Sequence, residues 1–296
     1  MRRKLRKILI IAGMLVTAVV AVIAHTVSLM IVRPNLCSPG RLSDAGNVAF
    51  KALTDDGIEI HAIHYPGAAE AGTILLCHGH GANMTNMNDM IAFLRKAGYG
   101  LLLLDFRAHG LSGGEYTTIG QIEWRDIKAV LNAAREKGFI TENTPLAAYG
   151  RSMGAATLIN GAENLPEIKA FILESSFEKL RKIAARDAWN FMYIPDTFLI
   201  DVAFAVVRQI TGIDYFNNAP EEKTRGISNR AVYLIHDEKD ARATRVAFDS
   251  LKSRLPQAQT WEVKDAWHVC AHHRAPVEFE MRFLNFLYQA GVPGRP

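Results

Sequence analysis

An open, mostly parallel α/β sheet covered by helices on both faces is the fold class that this 296-residue sequence predicts. Three observations carry the prediction. Beyond residue 46, short apolar runs alternate with segments of helical period, the order expected of βαβ units. The runs GTILLCHG, GLLLLDFR, PLAAYG, KAFILESS and AVYLIHD open apolar along their length, as strands buried on both faces of a parallel sheet do. Polar residues then gather just past the carboxyl ends of those runs, where open α/β sheets carry their sites.

The elements follow in order. MRRKLRK supplies five positive residues, Arg2, Arg3, Lys4, Arg6 and Lys7, and the 25 residues 8–32 contain no Asp, Glu, Lys or Arg. As a helix that stretch reaches about 37 Å, enough for a hydrocarbon core of about 30 Å. It exceeds the roughly 7–15 apolar residues of a cleaved signal peptide, so a retained single-pass anchor is expected. His25 and Ser28 are read as polar residues near its outer interface. The basic cluster precedes the helix and only Arg33 closely follows, so the positive-inside rule places the N-terminus in the cytoplasm. The remainder is expected beyond the cell's inner membrane. The chain therefore divides into a basic stub and anchor at 1–32, a linker at 33–46 rich in Pro, Gly and Ser, and one domain at 47–296.

Within the domain, NVAFKAL and GIEIHAIHY flank Thr54-Asp55-Asp56-Gly57 and read as an antiparallel hairpin. Strands GTILLCHG, GLLLLDFR, PLAAYG and KAFILESS are separated by helices expected over 84–97, 120–137 and 152–163. AVYLIHD and TWEVKD are two further strands, and helix 276–290 closes the chain. Residues 177–229 break the alternation and read as a helical cap insertion. In it, Phe198, Leu199, Val202, Ala203, Val206, Val207 and Ile210 form one stripe, expected to pack as core.

At 49% hydrophobic and 22% charged, the composition is that of a globular chain. The net charge of +4 comes from the N-terminus: without its five cations, 29 basic residues face 30 acidic ones. Nothing marks a nucleic-acid-binding face. Three cysteines, Cys37, Cys77 and Cys270, with no C-x-x-C spacing, make neither a disulfide framework nor a thiolate zinc site. His78-x-His80 and His268 with His272 and His273 resemble ligand spacings, but no metal or other cofactor is expected.

The chemistry lies after the strands. His78-Gly79-His80-Gly81 follows the first parallel run, Asp105 and FRAHGLSGG the second, and Gly150-Arg151-Ser152-Met153-Gly154 the third. His236, Asp237 and Asp240 follow AVYLI, and His268 follows TWEVKDAW. A serine between two glycines at a strand-to-helix turn, followed in sequence by an acid and then a histidine, has the order of the G-x-S-x-G nucleophile elbow.

With these motifs in their order, residues of about 48–290 resemble the α/β-hydrolase superfamily, in particular small serine esterases and acyl hydrolases. Two positions depart from the family pattern, Ala108 and Asp237, each standing where glycine is usual. The resemblance implies Ser152 as nucleophile, His268 as base and Asp240 as the acid that orients it, with Asp237, His272 and His273 as rivals. The amides of His80 and Met153 are the implied oxyanion donors, and Gly150 and Gly154 allow the sharp turn. Asp105, Arg107, His109 and Ser112 match a loop of structural role, supported by Trp124 and Asp126. The expected activity is acyl-enzyme hydrolysis of a small or lipid-like ester or thioester. A peptidase, a non-catalytic binding protein of the same fold, and a haloperoxidase-like side activity are the alternatives.

Overall fold

In the computed structural model, residues 2–34, 40–42 and 46–295 are described, and in the first helix the side chains at 16, 17, 19, 20, 23, 24, 27 and 30 are not. Most of the expected linker, Cys37 included, lies outside the described residues. The apolar runs form β1 (Val48–Leu53), β2 (Glu59–Tyr65), β3 (Thr73–Cys77), β4 (Gly100–Leu104), β5 (Leu146–Arg151), β6 (Ile168–Glu174), β7 (Ala231–Asp237) and β8 (Gln259–Val263). They pair in the order β1-β2-β4-β3-β5-β6-β7-β8. The β1–β2 hairpin is antiparallel, with Phe50 opposite Ala62, and β2 joins β4 antiparallel. All other pairings are parallel, as the uninterrupted apolar runs require.

Alternate residues of β3 to β7 face opposite cores. Leu75 and Cys77 point into one, with Leu102, Leu104, Phe171 and Leu173; Ile74 and Leu76 point into the other, with Leu101, Leu103 and Ile172. The first is covered by α3 (Trp124–Glu136), α4 (Met153–Gly161) and α8 (Arg245–Arg254). The second is covered by α2 (Asn88–Lys96) and α9 (Pro276–Gln289), whose Phe279 and Phe283 rings pack on Tyr149. Each such buried side chain contributes about 1.5–3 kcal/mol through apolar area removed from water.

Three expectations need correcting. The stretch expected as a helix over 84–97 begins with a 3-10 turn, Met84–Met87, because Asn83 caps it through Thr85 N–H and Asn86 caps back. α8 has no counterpart in the sequence reading: its run RVAFDSLKSR buries only Ala247, Phe248 and Leu251 among charged neighbours, too few to stand out by period. The insertion holds two long helices, α5 (Leu180–Met192) and α6 (Phe198–Thr211), followed by the short α7 (Pro220–Lys223). On α6 the buried residues are Ile200, Phe204 and Val207, whereas Phe198, Leu199 and Val202 of the expected stripe are exposed. α6 is apolar nearly all round, so its period does not select a face. What selects it is the packing of Phe204 against Tyr215 and Phe216, at ring distances of 5.9 and 5.3 Å.

The N-terminal helix, α1, runs Arg2–Val32 and would measure about 46 Å. Ile8, Leu9, Ile10, Ile11, Met14 and Leu15 on it are exposed, while Ser28 and Val32 are buried against the domain. Among the described residues no helix is long and apolar enough to cross a membrane. The expected crossing stretch, 8–32, is only partly covered by that statement, since eight of its side chains lie outside the description.

Candidate active site

The elbow is built by close backbone approach. β5 ends at Arg151 and α4 starts at Met153, so Ser152 alone makes the turn, with φ 52° and ψ −112°. A left-handed φ at a non-glycine residue costs on the order of 1–3 kcal/mol and persists only where neighbours impose it. Here they do: Ser152 N–H donates to the Glu174 carbonyl at 2.9 Å, and its carbonyl accepts from Ala156 at 3.0 Å. A Cβ on Gly150 would lie 2.5 Å from Ala155 N, and one on Gly154 would lie 2.3 Å from the Cys77 carbonyl oxygen. The two glycines let α4 sit directly on the ends of β5 and β3.

Around Ser152 the structure gathers the residues that the sequence spread over three loops. His268 Nε2 lies 3.0 Å from Ser152 Oγ, and His268 Nδ1 lies 2.6 Å from Asp240 Oδ2. A carboxylate can only accept, so Nδ1 carries the proton and Nε2 is left to accept from the serine hydroxyl. Burial would raise Asp240, but the His268 bond and the Arg242 amide outweigh it and hold the carboxyl below its usual range. Arg242 and Ala243 amides reach Asp240 Oδ1 at 2.8 and 2.9 Å.

The rivals fall elsewhere. Asp237 Oδ2 accepts from Ser175 Oγ at 2.7 Å and from the Val269 amide at 2.9 Å, bracing the His268 loop from beneath. Burial, reinforced by Glu174 nearby, pushes Asp237 up to about 8. His272 contacts Asp89 and Glu280, at 3.2 and 3.3 Å, and His273 is exposed.

His80 and Met153 line the same cavity as Ser152. The half-buried His80 ring is lowered to about 4 by desolvation, and its Nε2–H donates to the Ile31 carbonyl at 2.9 Å. His78 uses both nitrogens on backbone, Nδ1 to the Gly79 carbonyl and Nε2 from the Phe106 amide, so neither is left for a metal. His109 likewise binds the Arg107 carbonyl and the Gly81 amide. Asp105 accepts from the Met84 and Leu111 amides, at 2.7 and 2.8 Å. Arg107 spans Asp126 and Asp56, and Asp126 also takes the Arg107 amide. Ala108 has φ 57°, the left-handed conformation that explains why glycine is usual there.

Sequence reasoning missed the support under the elbow. Tyr149 hydroxyl donates to Glu174, Arg151 bonds Tyr149 and Asp89, and Glu174 accepts the Ala271 amide at 3.1 Å. This buried group ties the serine turn to the His268 loop. Glu174 gave a signal, a lone acid ending an apolar strand in KAFILESS; Asp89, on an exposed helix start, gave none.

The cavity holds about 260 Å³ and runs from Ser152 and Met153 under the cap, along Ile119, Phe177, Leu180 and Phe204. At its rim Asp187 is held by Arg242 through two bonds of 2.8 and 2.6 Å. An apolar cleft with a few convergent polar groups at one end is the usual form of a small-ligand site.

Residues 68–203 match a family model described as serine aminopeptidase, S33. Among curated proteins, the chain is 27% identical over 219 residues to the uncharacterized protein YqkD of Bacillus subtilis, covering 66% of this chain and 71% of that one. It is 24% identical over 150 residues to the uncharacterized protein YfhR of Escherichia coli, half of each chain. Among solved structures, a Pyrococcus furiosus esterase superposes with a TM-score of 0.68 at 24% identity, over 86% of this chain and 99% of that one. An acylaminoacyl peptidase of Pyrococcus horikoshii gives 0.62 at 15% identity, over 84% of this chain and 42% of its own.

Proposed function

We propose that this chain, whose residues 68–203 match a serine aminopeptidase-type family model and whose fold is shared with a solved esterase, is a serine hydrolase of the α/β-hydrolase superfamily that cleaves an ester or thioester through an acyl-enzyme. The observation that carries this reading is the hydrogen-bond chain Ser152–His268–Asp240, at 3.0 and 2.6 Å. Ser152 Oγ attacks the acyl carbon while His268 Nε2 takes its proton. The protonated imidazole, stabilised by Asp240, then returns that proton to the leaving alcohol or thiol, and water repeats the cycle on the acyl-enzyme. The amides of His80 and Met153 receive the oxyanion.

An amide substrate is the second reading, favoured by the aminopeptidase description of the matching family. An aminopeptidase needs a carboxylate for the substrate's ammonium. Among the described residues lining the cavity the acid is Asp187, already neutralised by Arg242. The ester reading therefore fits the cavity better.

The N-terminal helix is proposed as a retained inner-membrane anchor with the catalytic domain on the extracytoplasmic side. Its basic start, its uncharged stretch 8–32 and its exposed apolar side chains support this. With 28–32 engaged by the domain, 20 residues, 8–27, remain for the hydrocarbon, about 30 Å. The domain then sits against the bilayer, with Trp189, Phe191, Met192, Tyr193 and Phe198 of the cap exposed, which favours a lipid-like acyl ester. Two measurements on the full chain test the proposal, the first in detergent and the second in intact cells. Hydrolysis of p-nitrophenyl esters and matching thioesters must vanish in Ser152→Ala, and an equally active variant would overturn the assignment. A C-terminal reporter must be active only outside the cytoplasm; cytoplasmic activity would reverse the topology.

A further inference from the structure

The last turn of α1 is one wall of the cavity that contains Ser152. Ile31 lines it together with Ile119, Phe177, Leu180 and Phe204. That turn is held in place from three directions. The Ile31 carbonyl, an orphan acceptor at the helix end, takes the His80 Nε2–H at 2.9 Å. The Val32 carbonyl accepts the Thr117 amide at 2.9 Å, and Ser28 Oγ donates to the Ala203 carbonyl of α6 at 3.1 Å. Beyond the turn, Arg33 lies over the Tyr116 ring at 4.9 Å, donates to its hydroxyl at 2.9 Å and pairs with Glu115.

We propose that Ile31 is a specificity-determining residue, whose side chain sets the length and bulk of the acyl group that the cavity accepts. The substrate class rests on the ester-hydrolase reading above; the role of Ile31 in shaping the cavity does not. With its backbone held at the Ile31 carbonyl and through Ser28 and Val32, this turn cannot move aside for a larger ligand, and in close-packed apolar sites a change of one methylene is felt. In an apolar pocket one methylene more or less is worth about 10–200-fold in discrimination. The same turn thus belongs both to the helix that leaves the domain and to the binding site, so a chain cleaved after residue 32 would lose a wall of its cavity.

The test uses the full-length protein in detergent with p-nitrophenyl esters from acetate to dodecanoate. Ile31→Trp should lower the octanoate-to-acetate ratio of kcat/KM at least tenfold, and Ile31→Ala should move the optimum to longer chains. Ratios within twofold of wild type in both variants overturn the proposal. Should Ile31→Trp fail to fold, Ile31→Phe and Ile31→Ala carry the same comparison. A second readout is independent of turnover. On a Ser152→Ala background, Ile31→Trp should weaken the Kd of dansyl-undecanoate at least tenfold. That measurement decides the role of Ile31 even if wild type cleaves no ester, the outcome that would sink only the hydrolase reading. An unaltered Kd overturns the inference itself.

Discussion

Adding a single methyl at Gly154 should disable the site while leaving every proposed catalytic side chain in place. A Cβ there would lie 2.3 Å from the Cys77 carbonyl oxygen and 2.8 Å from Cys77 C and His78 O, where real contacts stay above 3.0 Å. The obstacle is backbone, so α4 and the end of β3 must separate by at least about 0.7 Å, a cost on the order of 1–3 kcal/mol. At roughly 2–4 °C per kcal/mol for a domain of this size, Gly154→Ala should lower Tm by about 2–12 °C. The two segments forced apart are those that carry the Met153 and His80 amides. Losing one oxyanion donor costs about 10²–10³ in kcat, so kcat for p-nitrophenyl butyrate should fall by that factor with KM little changed. A variant with lowered Tm and wild-type kcat would refute the link between this approach and catalysis. Wild-type values of both would refute the approach itself.

Other substitutions probe the supports. Asp240→Asn removes the acceptor that fixes the His268 tautomer and should cut kcat by about 10⁴; a loss under tenfold would point to another acid. Arg107→Met leaves Asp126 buried without its guanidinium and should cost about 3–5 kcal/mol in chemical unfolding, and a loss below about 1 kcal/mol would contradict the pairing. Asp237 tests linkage. Its folded-state pKa is raised to about 8 by burial, so the folded state keeps a proton that the unfolded chain releases near pH 4. Its stability contribution is complete below about pH 4 and declines as pH rises to about 8. Asp237→Asn should therefore raise Tm relative to wild type more at pH 9 than at pH 4.5, and an equal shift at both would contradict that burial effect.

The sheet was legible because a parallel strand buried on both faces has no alternative to an unbroken apolar run, as in GLLLL and PLAAY. The candidate site was legible because its groups follow strand ends, where chain direction alone dictates that they converge. The cap was not. α6 is apolar on most sides, so its sequence allowed several faces, and tertiary packing on Tyr215 and α1 chose Ile200, Phe204 and Val207. α8 escaped because three buried residues suffice to seat it on β7, and its other apolar residue, Val246, is exposed and blurs the period. Ile31 was hidden for a different reason: in a sequence it is one more aliphatic residue of an uncharged stretch. Only the His80 bond and the shape of the cavity separate it from its neighbours.

The central claim, that Ser152 is a nucleophile activated by His268, is tested most directly by covalent labelling of the full-length protein with a fluorophosphonate, followed by peptide mass spectrometry. The account predicts one adduct per chain, on the peptide containing Ser152, abolished in Ser152→Ala and strongly slowed in His268→Gln. Folded wild-type protein that takes no label, or an adduct on another residue, would contradict it.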